Sequence, residues 1–444
     1  MRKALLLLAL GVSLLAACES GGDGGRTASA PSRSEESEGS AAASEETGAA
    51  VSKRGLLEHL RALQDIADHH GHTRAAGTGG YGASTDYVVA RLREAGWRVR
   101  LQPVRFPFFR ERSAHLEADG RSLRSERDFR VLTHSGAGRA SGPVRGAGLG
   151  CNREDYDGTG RGGVALVRRG ECFFRDKALN AQRSGVGGVL LVDPAARGEP
   201  ISATLGGPGV HIPVVVLGAE AARVTRPGTQ VRLAVDAVSE RRVTHNVIAE
   251  TGAGPGDRVV MAGAHLDSVP AGPGINDNGS SVATLLEAAE ALGPRPPGAR
   301  VRLAFWAGEE LGLYGSRRYV RSLSARERGR IAAYVNLDMV GSPNAVREVY
   351  DGAPPIERAL RRALRPRVRS ERLGASSDHA PFRRAGIPVG GLYTGSAERG
   401  PGGRPRDPCY HRRCDTIDNV DRRVMLEMAR AAAQALRALS RQAR

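Results

Sequence analysis

The sequence predicts an α/β protein: a mostly parallel, mixed sheet with helices on both faces, interrupted by an inserted β-rich module. Three observations carry this expectation. From His245 onward, short aliphatic and β-branched runs alternate with helical periodicity, which is the rhythm of βαβ units. Between about residues 128 and 235 the texture changes to short β-rich runs broken by Gly-rich turns. The chain has 444 residues, enough for two or three domains, and its 40% hydrophobic content supplies a sizeable core.

The elements follow in order. Residues 56–67 have helical spacing (Leu56, Leu57, Leu60, Leu63, Ile66), and residues 81–95 form a second helix stopped at Gly96. Residues 97–101 then alternate as a strand. Within the insert, 164–167, 189–192 and 214–217 read as strands and 176–184 as a helix. Beyond it, strands are expected at 246–249, 259–262, 301–306, 332–337 and 390–393. Helices are expected at 278–292, 316–322, 356–364 and 421–440. In such sheets ligands gather where strands end.

The N-terminus is an export segment. Arg2 and Lys3 precede an apolar run at 4–17, too short for a span of about 20 residues and right for a secretory signal. The run ends Leu15-Ala16-Ala17-Cys18, which resembles a bacterial lipobox; by that resemblance Cys18 becomes the lipidated first residue and the sole membrane anchor. Ordinary cleavage beside an incidental cysteine is the rival reading. Residues 19–52 are rich in Ser, Gly and Glu and read as a disordered tether. The plan is therefore a signal at 1–18, a tether at 19–52, the first part of the body at 53–127, an insert at 128–236 and the main body at 237–444.

The net charge is +17, but the basic residues are scattered and no basic stripe interleaves with aromatics. This indicates an Arg-rich solvated surface with no nucleic-acid partner. Export makes Cys151, Cys172, Cys409 and Cys414 read as two disulfides. Three pairings are open. Proximity favours Cys151–Cys172 and Cys409–Cys414, and the absence of a Cys-x-x-Cys spacing argues against a zinc knuckle.

Five stretches near strand ends carry metal-binding side chains. His265 and Asp267, two apart on an extended segment, share a face, so that one can ligate while the other fixes it. Glu309 and Glu310 are adjacent and diverge, so that one can ligate while the other faces an open position. Asp277 precedes a helix, Asp338 closes a strand, and His411 lies between two cysteines. Five ligands (His265, Asp277, Glu310, Asp338, His411) exceed one tetrahedral zinc. They suit two Zn²⁺ sharing Asp277, each with one His and one terminal carboxylate.

On these motifs, together with Gly71-His72-Thr73-Arg74-Ala75-Ala76-Gly77-Thr78 and Ser377-Asp378-His379, the chain resembles the secreted bacterial zinc aminopeptidases of metallopeptidase family M28. The insert resembles a protease-associated (PA) domain through residues 163–174, Lys177, Asn180-Ala181 and residues 185–189. The resemblance implies a zinc exopeptidase fold and hydrolysis of peptides with a free N-terminus. His265 and Asp338 would hold one zinc, Glu310 and His411 the other, and Asp277 would bridge, with a cis Asp277–Asn278 peptide. Glu309 would be the general base, Asp267 would orient His265, and Tyr410 would donate to the oxyanion. Met339, Tyr393 and Cys409 match pocket positions and imply an apolar N-terminal residue. Ser376 stands where some relatives carry a substrate-holding Arg. Two other readings stay open: a carboxypeptidase, dipeptidase or glutaminyl cyclase-like enzyme on the same scaffold, and a non-catalytic PA-domain binding protein.

Overall fold

The computed structural model describes residues 50–252, 257–295, 298–364, 366, 368–396 and 398–443. The export segment, Cys18 and nearly all of the expected tether lie outside these residues. Val51 is buried, and the Ser52 side chain accepts the Gly55 N–H at 2.9 Å to cap the first helix, so both belong to the folded body.

The chain opens with α1 (Lys53–His69) and α2 (Gly79–Glu94). Next come β1 (Arg98–Ala118), β2 (Arg121–Leu123), β3 (Phe129–Val131), β4 (Gly138–Gly146), β5 (Val164–Arg168), α3 (Phe174–Arg183), β6 (Gly188–Val192), β7 (Val214–Leu217), α4 (Ala219–Val224) and β8 (Gln230–Glu250). The alternating part follows: β9 (Val259–His265), α5 (Ser280–Leu292), β10 (Arg300–Trp306), α6 (Tyr314–Ser322), α7 (Ala325–Arg330), β11 (Ile331–Leu337) and β12 (Glu348–Tyr350). It ends with α8 (Pro354–Ala363), β13 (Arg369–Glu371), α9 (His379–Arg384), β14 (Val389–Tyr393) and α10 (Arg422–Gln442).

The main sheet runs β13–β12–β14–β11–β9–β10–β8–β1. Its centre, β14–β11–β9–β10, is parallel, and β12, β8 and β1 make it mixed. Every residue of β9 is buried, as a central parallel strand requires when helices cover both faces. On one face Leu60, Val88, Leu285, Leu360 and Leu436 bring α1, α2, α5, α8 and α10 into one core. On the other, Tyr319 of α6 and Phe382 of α9 pack against Trp306 and Tyr334, with the Tyr334 and Phe382 rings stacked 3.7 Å apart.

The largest departure from expectation is the ribbon of β1 and β8, each 21 residues long. The pair stays antiparallel from Arg98↔Glu250 to Ala118↔Val231, with one bulge between Glu111 and Ser113. The expected strands at 97–101 and 246–249 cover only its foot, and β1 carries Pro103 and Pro107, which remove ladder donors. Both are tolerated because β1 is an edge strand in the main sheet. One end of β8 pairs with β10 (Phe305↔Val247) and the other with β4 (Gly138↔Val235), so the insert sheet β4–β5–β6–β7–β3 hangs on a strand of the main sheet.

Inside the insert, α3 packs Ala178 and Ala181 beneath β5, β6 and β7. Cys151 and Cys172 form a disulfide. The fully buried Lys177 donates to the Gly170 carbonyl at 2.9 Å, and Asn180 to the Cys151 carbonyl at 2.7 Å. These motif residues hold the disulfide loop rather than any ligand. Closing that 21-residue loop should contribute about 3 kcal/mol by restricting the unfolded chain. Replacing both cysteines by serine should therefore lower the urea midpoint of unfolding by a matching amount, measured by fluorescence or circular dichroism.

Candidate metal centre

The expected ligands meet at the carboxyl ends of the parallel strands. His265 ends β9, Asp338 follows β11, and Glu309 and Glu310 sit in the turn after β10. Asp277 lies in the single turn Ile275–Gly279 before α5, where the Asp277–Asn278 peptide is cis. His411 comes from the loop closed by the Cys409–Cys414 disulfide.

Two clusters share one residue. His265 Nε2 lies 3.2 Å from Asp277 Oδ1 and 3.4 Å from Asp338 Oδ1. His411 Nε2 lies 3.1 Å from Asp277 Oδ2 and 3.0 Å from Glu310 Oε2. Each oxygen of Asp277 thus faces a different imidazole. In both groups the potential ligand atoms lie within 4.8 Å of one another, close enough to surround a cation.

The supporting contacts fix the right atoms. His265 Nδ1 lies 2.9 Å from the Asp267 carbonyl, which can only accept, so Nδ1 carries a proton and Nε2 is left for ligation. The Asp267 carboxylate is 4.0 Å from that ring and instead accepts the Glu309 N–H at 3.2 Å. Its orienting of His265 therefore runs through its main chain, and its carboxylate braces the Glu309–Glu310 turn. Ser377 Oγ donates to Asp338 Oδ2 at 2.7 Å.

Electrostatics point to a cation. Burial, with Asp378 and Asp338 adding to it, pushes Glu309 well above the usual carboxylate range. Burial and Asp277 push Glu310 up to about 7. Burial opposes a charged His265, yet its contacts with Asp277 and Asp338 prevail and hold its pKa well above the ordinary value. Glu310 Oε1 is buried without a hydrogen-bond partner. Imidazole nitrogens and carboxylate oxygens are zinc donors, and the set fits that metal.

The cluster floors a cavity of about 570 Å³. Met339, Tyr393, Tyr410 and Ser376 line it together with Glu309. The Tyr410 ring stacks on His411 at 3.9 Å. Cys409, expected there, is not among the lining residues, although its neighbour Tyr410 is.

Comparison with known proteins finds relatives over most of the chain. Residues 246–436 match the model of peptidase family M28, and residues 140–224 match the PA domain. An aminopeptidase of Pseudomonas aeruginosa is 37% identical over 417 residues, covering 82% of this chain and 77% of that one. The chain belongs to peptidase family M28. A Mycobacterium tuberculosis relative named "Probable lipoprotein aminopeptidase LpqL" is 38% identical, with 84% of this chain and 82% of that one covered. The crystal structure of a zinc aminopeptidase from Bacillus subtilis aligns with a TM-score of 0.64 at 27% identity, over 87% of this chain and 95% of that one.

This M28 peptidase also uses residues to which sequence reasoning gave no role. Arg74, fully buried, donates to the carbonyls of Leu266, Pro273 and Gly274 at 2.5, 2.9 and 2.7 Å, stapling the segment between His265 and Asp277. Burial lowers its pKa to about 10, so it stays charged at neutral pH. Asn278 reaches across to the far side of the centre, donating to the Leu337 carbonyl and accepting the Met339 N–H, each at 3.0 Å. Gly274 has φ +62°, and a Cβ there would sit 2.2 Å from the Asp277 carbonyl oxygen. Gly274→Ala should shift the Asp277 main chain, lower stability by roughly 1–3 kcal/mol and reduce zinc retention. Thermal unfolding and elemental analysis after dialysis measure both.

Proposed function

We propose that this M28 aminopeptidase is a dinuclear zinc enzyme that removes an apolar N-terminal residue from peptides. The observation that carries the reading is the pair of ligand clusters sharing Asp277. His265 and Asp338 would hold one ion, Glu310 and His411 the other, and Asp277 both. When bound, zinc supplies Lewis acidity and lowers the pKa of water from 15.7 to near 7.

The chain's own groups do the rest. Glu309, on the cavity wall, takes a proton from the attacking water and returns it to the leaving amine. Tyr410, on the cavity wall, donates to the developing oxyanion. The carboxylates of Glu309 and Asp338 hold the substrate's α-amine, which restricts cleavage to the first residue. Met339 and Tyr393 receive its side chain. The export segment and the lipoprotein name of the M. tuberculosis relative support an exported enzyme, lipid-anchored to the bacterial cell envelope through Cys18. Among the described residues no helix is long and apolar enough to cross a membrane.

Glu309→Gln should keep both zincs and lose about 10²–10⁴-fold in kcat. Elemental analysis and steady-state rates on the same sample test this, and an undiminished rate would remove Glu309 from the role of base. On a panel of aminoacyl-anilides, leucyl and methionyl substrates should outrun glutamyl and lysyl ones, and N-acetylation should abolish turnover. Hydrolysis of the acetylated substrates at a comparable rate rules out an aminopeptidase.

A further inference from the structure

The two halves of the centre are unequally rooted. The His265 side chain is 2% exposed at the end of a central strand, whereas that of His411 is 42% exposed. His411 also adopts φ +57° within a loop whose disulfide joins residues five apart. That disulfide closes the loop on itself, so something else must hold the loop against Asp277.

Two buried acids, Asp407 and Asp415, flank the loop, each 2% exposed. Asn419 Nδ2 donates to one oxygen of each, at 3.0 Å to Asp407 and 3.1 Å to Asp415. Asp415 accepts the main-chain N–H groups of Asn276 at 2.9 Å and Asp277 at 3.0 Å. Asp407 accepts Asn276 Nδ2 at 2.7 Å and the Cys409 N–H at 2.9 Å. One amide therefore bridges two buried carboxylates, and these in turn lock the His411 loop to the turn that carries Asp277. Neither Asp407, Asn419 nor Asp415 lines the cavity.

We propose that Asp407, Asn419 and Asp415 form a positioning clamp that sets the affinity of the zinc held by Glu310 and His411 far more than that of the zinc held by His265 and Asp338. The proposal rests on the dinuclear reading above. Removing the Asn419 amide leaves two buried carboxyl groups each short of a donor, and relaxation of the loop opens the 3.1 Å approach of His411 to Asp277. The opposite half has separate supports, the Asp267 carbonyl on His265 and Ser377 on Asp338.

The test is zinc per chain, measured on the purified, zinc-replete protein equilibrated with graded chelator. Wild type should hold two ions. Asn419→Ala should weaken one of them by ~10–100-fold and the other by no more than a few-fold. His411→Ala marks the one-ion state, and added zinc should return the kcat of Asn419→Ala to within a few-fold of wild type. If Asn419→Ala does not fold, Asp407→Asn keeps the volume and should shift the same ion in the same direction. Two ions held as tightly as in wild type overturn the clamp, as does parallel loss of both. A wild type that holds a single ion in replete buffer overturns the dinuclear reading itself.

Discussion

Asp277 faces an imidazole with each oxygen of one carboxylate, and most of what surrounds the centre keeps that carboxylate in place. A shared ligand tolerates little error, because a shift toward one partner is a shift away from the other. Its main chain is accordingly tied on three sides. Arg74 holds the segment that precedes it, Asp415 accepts its N–H, and Asn278 reaches across to the end of β11 beside Asp338. The turn is one residue's backbone made common property of the first helices, the central sheet and the C-terminal loop.

Concentrating this much acid in a covered place requires compensation throughout. Buried carboxylates are costly unless paired or hydrogen-bonded. The protein meets part of that demand with main-chain donors for Asp267 and Asp415, a hydroxyl for Asp338 and one buried guanidinium that gives its protons to carbonyls, and leaves Glu310 Oε1 without a hydrogen bond. The acids that remain line the cavity floor, where the proposed reaction would bring both the metal and the substrate ammonium group. Binding and chemistry therefore draw on one electrostatic feature.

The central sheet and the convergence of the candidate ligands at its strand ends were legible in the sequence for a shared physical reason. A parallel strand buried on both faces must be an unbroken apolar run, and polar residues at its exit are then conspicuous, as with His265 after 259–264 and Asp338 after 331–337. What stayed hidden acts through the main chain or at long range. Arg74 lies in a quoted motif, but its work is donation to carbonyls almost 200 positions away, which no spacing announces. Asp407, Asp415 and Asn419 resemble ordinary loop residues until folding buries them. The long ribbon depends on a pairing between residues more than 100 positions apart, and its β1 half carries prolines that only an edge strand accepts. Asp267 meets the His265 ring through its carbonyl while its carboxylate accepts the Glu309 N–H, a distinction that side-chain reasoning does not make.

The ribbon also determines how the insert could be removed. Because β8 runs unbroken from a rung beside β4 to one beside β10, no linker separates the modules, and a cut at either edge of the insert strands a length of unpaired backbone. A surgeon's line would instead cross the ladder itself, near Phe109 and its partner Ser239, and close with a two-residue hairpin turn. That keeps Phe106 and Phe108 seated over Ala76, so the catalytic body retains a finished margin. Trimming this enzyme to its hydrolytic half is thus a matter of shortening a hairpin, not of separating beads on a string.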